Sequence, residues 1–432
     1  MQDISLAPEA LGPLDDGERF DWLRLLRCEN IGPRTFQVLL RRHGSVGAAL
    51  AALPALIASG KPIRIATVEE TGREIEAAYR VGARFIGIGE PDYPALLRAT
   101  ASAPPLISLR GNLSSLRRSK IAIVGARNAS AAGLAFTSQL ARGIARAGHL
   151  IVSGLARGID ARAHQAAIET GTIAVLAGGL GNVYPAEHKA LLERLLEQGA
   201  AISEMPFGWE ARGRDFPRRN RIVAGLCRAV VVVEAARRSG SLITAKFAAE
   251  EGREVFAVPG SPLDPRAEGA NDLLRDGATF CIRAEDIIDA LAEQKLPHTQ
   301  PAAGFFEPSL VGPGYEPLWD ELDLPDVGAA PFGPPANPED GASPHMRGGA
   351  AAAPVATPPE RPRENIERRL IALLGPVPVS VDELARASEA PTREVRTVLL
   401  GLKLAGRIEW HGGDLVSSLP ASWPRANDHE DC

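Results

Sequence analysis

The chain has 432 residues, 45% of them hydrophobic, and a formal net charge of −5 from 48 Lys and Arg against 53 Asp and Glu. That length exceeds one ordinary core and implies two or three domains, while the mild acidity excludes a global basic field, so any nucleic-acid binding must come from a local patch. No apolar run approaches the length of a bilayer-spanning helix, the Met1-Gln2-Asp3-Ile4 start lacks a basic, apolar signal, and Cys28, Cys227, Cys281 and Cys432 form no CxxC pair; a reducing cytoplasm is expected, without a zinc site or disulfide framework.

The first twenty residues are acidic and uninformative. From Asp21, Trp22-Leu23-Arg24-Leu25-Leu26 begins an amphipathic helical pattern, and after Asn30-Ile31-Gly32-Pro33 a second helix is expected over residues 35–43. Helix, Gly-Pro turn and helix make a helix-hairpin-helix element, whose turn amides can meet a phosphate; a small helical packing domain is an equal alternative. We place this N-terminal domain at residues 15–100. Arg84-Phe85-Ile86-Gly87-Ile88 and the proline-rich stretch to Gly111 connect it to the next domain, with room for an edge strand.

Residues 121–260 organise the chain. Ile121-Ala122-Ile123-Val124-Gly125, Leu150-Ile151-Val152-Ser153-Gly154, Thr172-Ile173-Ala174-Val175-Leu176, Ala229-Val230-Val231-Val232-Val233-Glu234 and Val255-Phe256-Ala257-Val258-Pro259-Gly260 are apolar runs ending in Gly, Ser or Glu. Segments of helical periodicity, such as 135–147 and 186–198, separate them. This alternation predicts an α/β fold with a parallel sheet covered on both faces, here bounded at 105–295. Ligands of such sheets bind beyond the carboxyl ends of the strands. A closing helix is expected near Ala284-Glu285-Asp286-Ile287, and the Pro-, Gly- and Ala-rich stretch 296–362 reads as a flexible linker. Residues 363–418 then show three helices and a hairpin, a winged helix, with Ser380 and Thr392 as expected caps. Its third helix carries only Arg393, Arg396 and Lys403 as basic residues, which favours a protein contact over DNA.

Neither GxGxxG nor GxxxxGK[ST] occurs, so dinucleotide and P-loop chemistry lack their signatures. Gly125-Ala126-Arg127 still offers turn amides and a guanidinium for a phosphate. In Ser153-Gly154-Leu155-Ala156-Arg157-Gly158-Ile159-Asp160, the glycines allow close approach of a ligand and Asp160 is expected to cap the next helix; His164, four residues on, is taken as a packing residue rather than a metal ligand. The sharpest signal is Arg212-Gly213-Arg214-Asp215-Phe216-Pro217-Arg218-Arg219-Asn220-Arg221, five arginines around one aromatic ring. Arginine forks hold phosphates and a ring stacks on bases, which suits sequence-independent binding of single strands. The competing expectation is a solvated basic face with an arginine paired inside the fold with Glu204 or Glu234; some of each is expected, with Asn220 and Arg221 as the structural members. Ser239-Gly240 opens a further helix at the same edge.

Taken together these segments closely resemble the DNA-processing protein A family (DprA, also called Smf). The match runs through Gly125-Ala126-Arg127, residues 153–160 with Ala163-His164, Tyr184-Pro185, Ser203-Glu204, residues 216–226, Ser239-Gly240-Ser241-Leu242-Ile243-Thr244-Ala245 and Val255-Phe256-Ala257-Val258-Pro259-Gly260. The resemblance implies an extended Rossmann-like domain that binds single-stranded DNA, an N-terminal helical (helix-hairpin-helix or SAM-like) domain and a C-terminal winged helix. It further implies a homodimer through the Rossmann-like domain, loading of RecA recombinase during natural transformation, and no catalysis, cofactor or metal. The expected DNA-binding residues are Gly125, Ala126, Arg127, Ser153, Gly154, Arg212, Arg214, Phe216, Arg218, Arg219, Ser239 and Gly240. Many members carry Ser or Thr in place of Ala126, which removes a hydroxyl from this turn. The alternative is a nucleotide hydrolase of the lysine-decarboxylase-like (LOG) type, but its Pro-Gly-Gly-x-Gly-Thr-x-x-Glu turn is replaced by Ala235-Ala236-Arg237-Arg238-Ser239-Gly240-Ser241.

Overall fold

A computed structural model describes residues 12–58, 64–293, 362–411 and 414–419. The expected linker, 296–362, lies outside the described residues except at its last position.

Four helices come first: α1 (Asp16–Leu26), α2 (Pro33–His43), α3 (Val46–Ala58) and α4 (Val68–Arg80). Reciprocal capping boxes, Asp15 with Glu18 and Thr67 with Glu70, start α1 and α4. Gly32 precedes α2 with Pro33 at its first position, where the missing N–H costs nothing. Trp22 on α1 and Phe36 on α2 pack ring to ring at 4.9 Å, which closes the helical pair.

The chain continues through β1 (Arg84–Gly87), α5 (Ala95–Arg98), β2 (Leu106–Gly111), β3 (Lys120–Val124), α6 (Ala131–Arg146), β4 (Leu150–Ser153), α7 (Ile159–Ala167), β5 (Thr172–Val175), α8 (Lys189–Leu196), β6 (Ala200–Ser203), α9 (Asp215–Leu226), β7 (Ala229–Val232), α10 (Gly240–Glu250), β8 (Glu254–Ala257), α11 (Glu268–Arg275), β9 (Thr279–Phe280) and α12 (Ala284–Glu293). The strands form one nine-stranded sheet in the order β1-β2-β6-β5-β4-β3-β7-β8-β9. From β6 to β9 all pairings are parallel; β2 joins β6 antiparallel, and β1 joins β2 antiparallel. The stretch expected to be a connection therefore adds two strands to the sheet, and β1 lies within the span 15–100 assigned to the helical domain.

Continuous apolar strands follow from burial on both faces. Ile121, Ile123, Ile151 and Val231 pack with α6, α7 and α12 on one side. Ala122, Val124, Val152 and Val230 pack on the other, in a cluster that continues into Trp22, Phe36 and Leu53 of the helical domain. The strand β6 goes beyond the sequence expectation: Ala200-Ala201-Ile202-Ser203 carries little β propensity and is held by its neighbours rather than by its own preference.

The remaining elements are α13 (Pro362–Leu373), β10 (Val379–Ser380), α14 (Val381–Ser388), α15 (Thr392–Leu404), β11 (Ile408–His411) and β12 (Leu415–Ser418), a winged helix with sheet order β10-β12-β11. Ser380 caps α14 by accepting from Glu383 N. Thr392 is not a cap, contrary to expectation: Pro391 occupies that position and Thr392 is the first helical residue. The module seats on the sheet domain. Ala131 at the start of α6 is buried in its core, and Arg266, paired with Asp264 at 2.9 Å, donates to the carbonyls of Ala372 (2.8 Å) and Leu374 (2.9 Å) at the end of α13.

Candidate nucleic-acid interface

On either side of β3 the chain runs in opposite directions through the sheet, β4-β5-β6 one way and β7-β8-β9 the other, so the topological switch point lies between β3 and β7. The turn after β3 carries Gly125, Ala126 and Arg127. Ala126 O accepts from Ile159 N at 3.2 Å, and this close seating requires glycine at position 158, where φ is +73° and a Cβ would stand 2.2 Å from Ala126 O. Arg127 itself is exposed.

At the switch point the N-terminus of α6 is already taken. Ser130 caps that helix, and the Glu234 carboxylate accepts from Ser130 N at 2.9 Å and from the Ser130 hydroxyl. The place where a doubly wound fold receives a phosphate thus holds an acceptor from the chain itself. Glu204 accepts from Arg221, whose guanidinium also donates to Ser102 O. Neither carboxylate is poised for acid–base chemistry, and the hydrolase alternative is not favoured.

The arginine cluster lies on α9 and the loop leading into it, just before strand β7. It divides by face. Phe216 turns toward Arg127, whose guanidinium sits over the ring at 4.7 Å, and Tyr184 meets the same ring edge-on at 5.6 Å and 70°. Arg212 is exposed and lies over Trp209 at 4.5 Å. The buried Asp215 carboxylate ties this loop down, accepting from Trp209 Nε1 at 2.9 Å and Arg212 N at 2.8 Å. Arg214 and Arg218 line a neighbouring cleft of about 740 Å³ that reaches Gly32 and Pro33 of the helical domain. Glu29, Glu70, Glu74 and Glu204 also line that cleft and balance its arginines, so it is no simple polyanion channel.

Three expected contact residues prove interior. Ser153 is 0% exposed and its hydroxyl donates to Ile123 O at 2.6 Å. Arg219 is 5% exposed and donates to Val175 O at 3.0 Å. Gly154 makes room for that side chain: a Cβ there would lie 1.4 Å from Arg219 Nη1. Asp160 is not the helix cap expected of it, since Gly158 holds that position; its buried carboxylate instead accepts from Gly154 N (3.1 Å) and Ala156 N (3.3 Å). Burial pushes the Asp160 carboxyl up, opposed by the charge of Arg219 and by those two amides. His164 is likewise interior: burial pushes its imidazole down to about 3. Thr172 spends its hydroxyl hydrogen on Ile151 O at 2.7 Å, so His164 Nδ1 must carry the proton it shares with Thr172 at 2.9 Å. Asp160 and His164, four residues apart, thus serve packing and hydrogen bonding. Ser239 and Gly240 lie at the same carboxyl-terminal edge, opening α10; Asn220 Nδ2 donates to Gly240 O at 3.1 Å and links that turn to α9.

The same three-part organisation is found in known proteins. A family model described as DNA recombination-mediator protein A matches residues 84–292, one for the DprA-like N-terminal HHH domain matches 16–77, and one for the DprA winged helix domain matches 354–414. DNA processing protein DprA of Bacillus subtilis is 42% identical over 229 residues, 52% of this chain and 77% of that protein. Protein Smf of Escherichia coli is 37% identical over 336 residues, 73% and 72% of the two chains. The chain belongs to the DprA family of DNA recombination mediators. The X-ray structure of DNA processing protein A (DprA) from Streptococcus pneumoniae superposes with a TM-score of 0.54 at 32% identity, covering 65% of this chain and 99% of that one.

Beyond the expected residues, Tyr184 and Trp209 lie at this edge of the DprA-family chain, and the buried Asp215 holds its loop in place. Tyr184 belongs to the sequence match without a role there, because a lone Tyr-Pro in a glycine-rich loop gives no hint of a partner 32 positions away. Trp209 is legible in principle, as an aromatic three residues before Arg212.

Proposed function

We propose that the chain binds single-stranded DNA without regard to sequence along the rim of Arg127, Phe216 and the neighbouring exposed arginines. In this reading it is a non-catalytic recombination mediator that protects incoming DNA and loads RecA recombinase during natural transformation. It works in the cytoplasm as a homodimer joined through the sheet domain, and among the described residues no helix is long and apolar enough to cross a membrane. The observation that carries the proposal is the Arg127 guanidinium stacked at 4.7 Å on Phe216, a charge for phosphate and a ring for bases brought together from segments about 90 residues apart. Gly125, Ala126, Arg212, Arg214, Arg218, Ser239 and Gly240 remain the proposed supporting contacts. The acidic net charge is compatible with this, since the cations are local.

The test is a shift assay with single- and double-stranded oligonucleotides at several salt concentrations. The wild type should retard the single strand at lower protein concentration, and Phe216→Ala should weaken that binding by about 5- to 100-fold, the loss of one base stack plus its hold on Arg127. Equal retention of both strands by wild type, or an unchanged Phe216→Ala variant, refutes the rim. Loading is read separately, as faster RecA filament growth on single strands when the protein is added.

A further inference from the structure

In the free chain Phe216 is a half-buried ring with Arg127 across its face and Tyr184 against it, which leaves Tyr184 as the ring with open surface. Tyr184 is 52% exposed. Among the described residues two other rings are as open, Tyr79 on α4 in the helical layer and Phe280 on edge strand β9, three strands beyond β3, so neither shares the rim with Arg127.

The loop that carries Tyr184 is held on both flanks. Gly179 N donates to Trp209 O at 3.0 Å and Gly181 N to Phe207 O at 2.8 Å on one side; beyond it His188 N donates to Pro185 O at 3.0 Å and His188 Nδ1 meets Leu155 O at 2.8 Å. The ring is therefore presented by fixed backbone. Beside it, Arg157 lies within electrostatic reach of Tyr184 but is neutralised by Glu187 through a two-pronged pair at 2.6 and 2.9 Å. With Arg157 paired to Glu187, what Tyr184 itself presents to the rim is an open ring, which suits a base rather than a phosphate.

We infer that Tyr184 forms a nucleobase-stacking subsite adjoining the Arg127–Phe216 phosphate site, so that a bound strand places one base against Tyr184 while Arg127 holds the backbone beside it. This rests on the single-strand proposal above and adds to it a second residue that reads the presence of a base.

The experiment compares the full chain with Tyr184→Ala and Tyr184→Phe on two probes, an oligothymidylate and a strand of equal length whose sites are abasic. Tyr184→Ala should lose about 5- to 100-fold in affinity for oligothymidylate, Tyr184→Phe should bind it like wild type, and all three proteins should bind the abasic strand alike. Thermal unfolding of each variant checks that the fold is intact, and Tyr184→Leu, which keeps apolar bulk without a ring, should behave as Tyr184→Ala. If Tyr184→Ala binds oligothymidylate as wild type does, or loses equally on the abasic strand, the subsite is wrong while the single-strand proposal stands. If wild type binds neither strand, both fall.

Discussion

Arg219→Ala should lower the unfolding free energy by roughly 3–5 kcal/mol, because it strips the buried Asp160 carboxylate of its opposing charge and empties a filled space. Arg219 is 5% exposed and its guanidinium occupies the position a Gly154 Cβ would take, while Asp160 holds Gly154 N and Ala156 N. The same loss sets the sign of the pH dependence. With Arg219 gone, the folded-state pKa of Asp160, already raised by burial, rises further above its unfolded value. Such a group contributes full stability below the unfolded value and loses it as pH climbs through the folded one, so the deficit should be largest at neutral pH and shrink on acidification. Chemical denaturation at neutral and mildly acidic pH measures it. Gly154→Ala supplies the cross-check: alone it should cost about 1–3 kcal/mol by overpacking, yet in the Arg219→Ala background it should be close to neutral, since the three atoms nearest the new Cβ all belong to Arg219. Additive losses would separate the two positions.

Arg127→Ala should weaken single-strand binding about 10- to 100-fold, the loss of a charge-assisted phosphate contact and of the cation over Phe216. The slope of log affinity against log salt should shallow by about 0.7, one phosphate contact on a single strand. The loss should be uniform across sequences, because a phosphate contact carries no base information. Arg127→Lys should keep the slope but recover only part of the affinity, lacking the planar fork. An unaltered slope in Arg127→Ala would remove this residue from the interface.

Much of the architecture is legible in the sequence alone. Ile121-Ala122-Ile123-Val124 and Val230-Val231-Val232 announce buried parallel strands by their unbroken apolar character, and the glycines and arginines after them mark the candidate binding edge. What escapes is the direction of side chains on one helix. Residues 212–221 contain five arginines that look alike in sequence, yet Arg219 and Arg221 sit at 5% and 4% exposure while Arg212 and Arg214 face solvent. Only the partners distinguish them: Asp160 and Val175 O for one, Glu204 and Ser102 O for the other, all distant along the chain. Ser153 misleads for the same reason, since a serine at a strand end is as able to bond inward to Ile123 O as outward to a ligand. Asp160 resembles a cap by position and acts instead on the turn preceding its helix.

One helix, α9, turns Phe216 toward Arg127 and Tyr184 at the sheet edge and Arg219 and Arg221 into the core. On the single-strand proposal, the ring that would stack is mounted on an element whose other side is bolted to the core, so an arriving strand would have little protein motion to arrest. Capture on such a surface would then be governed by how often chain and strand collide under attraction between opposite charges, and substrate preference would be expressed in how long the strand stays.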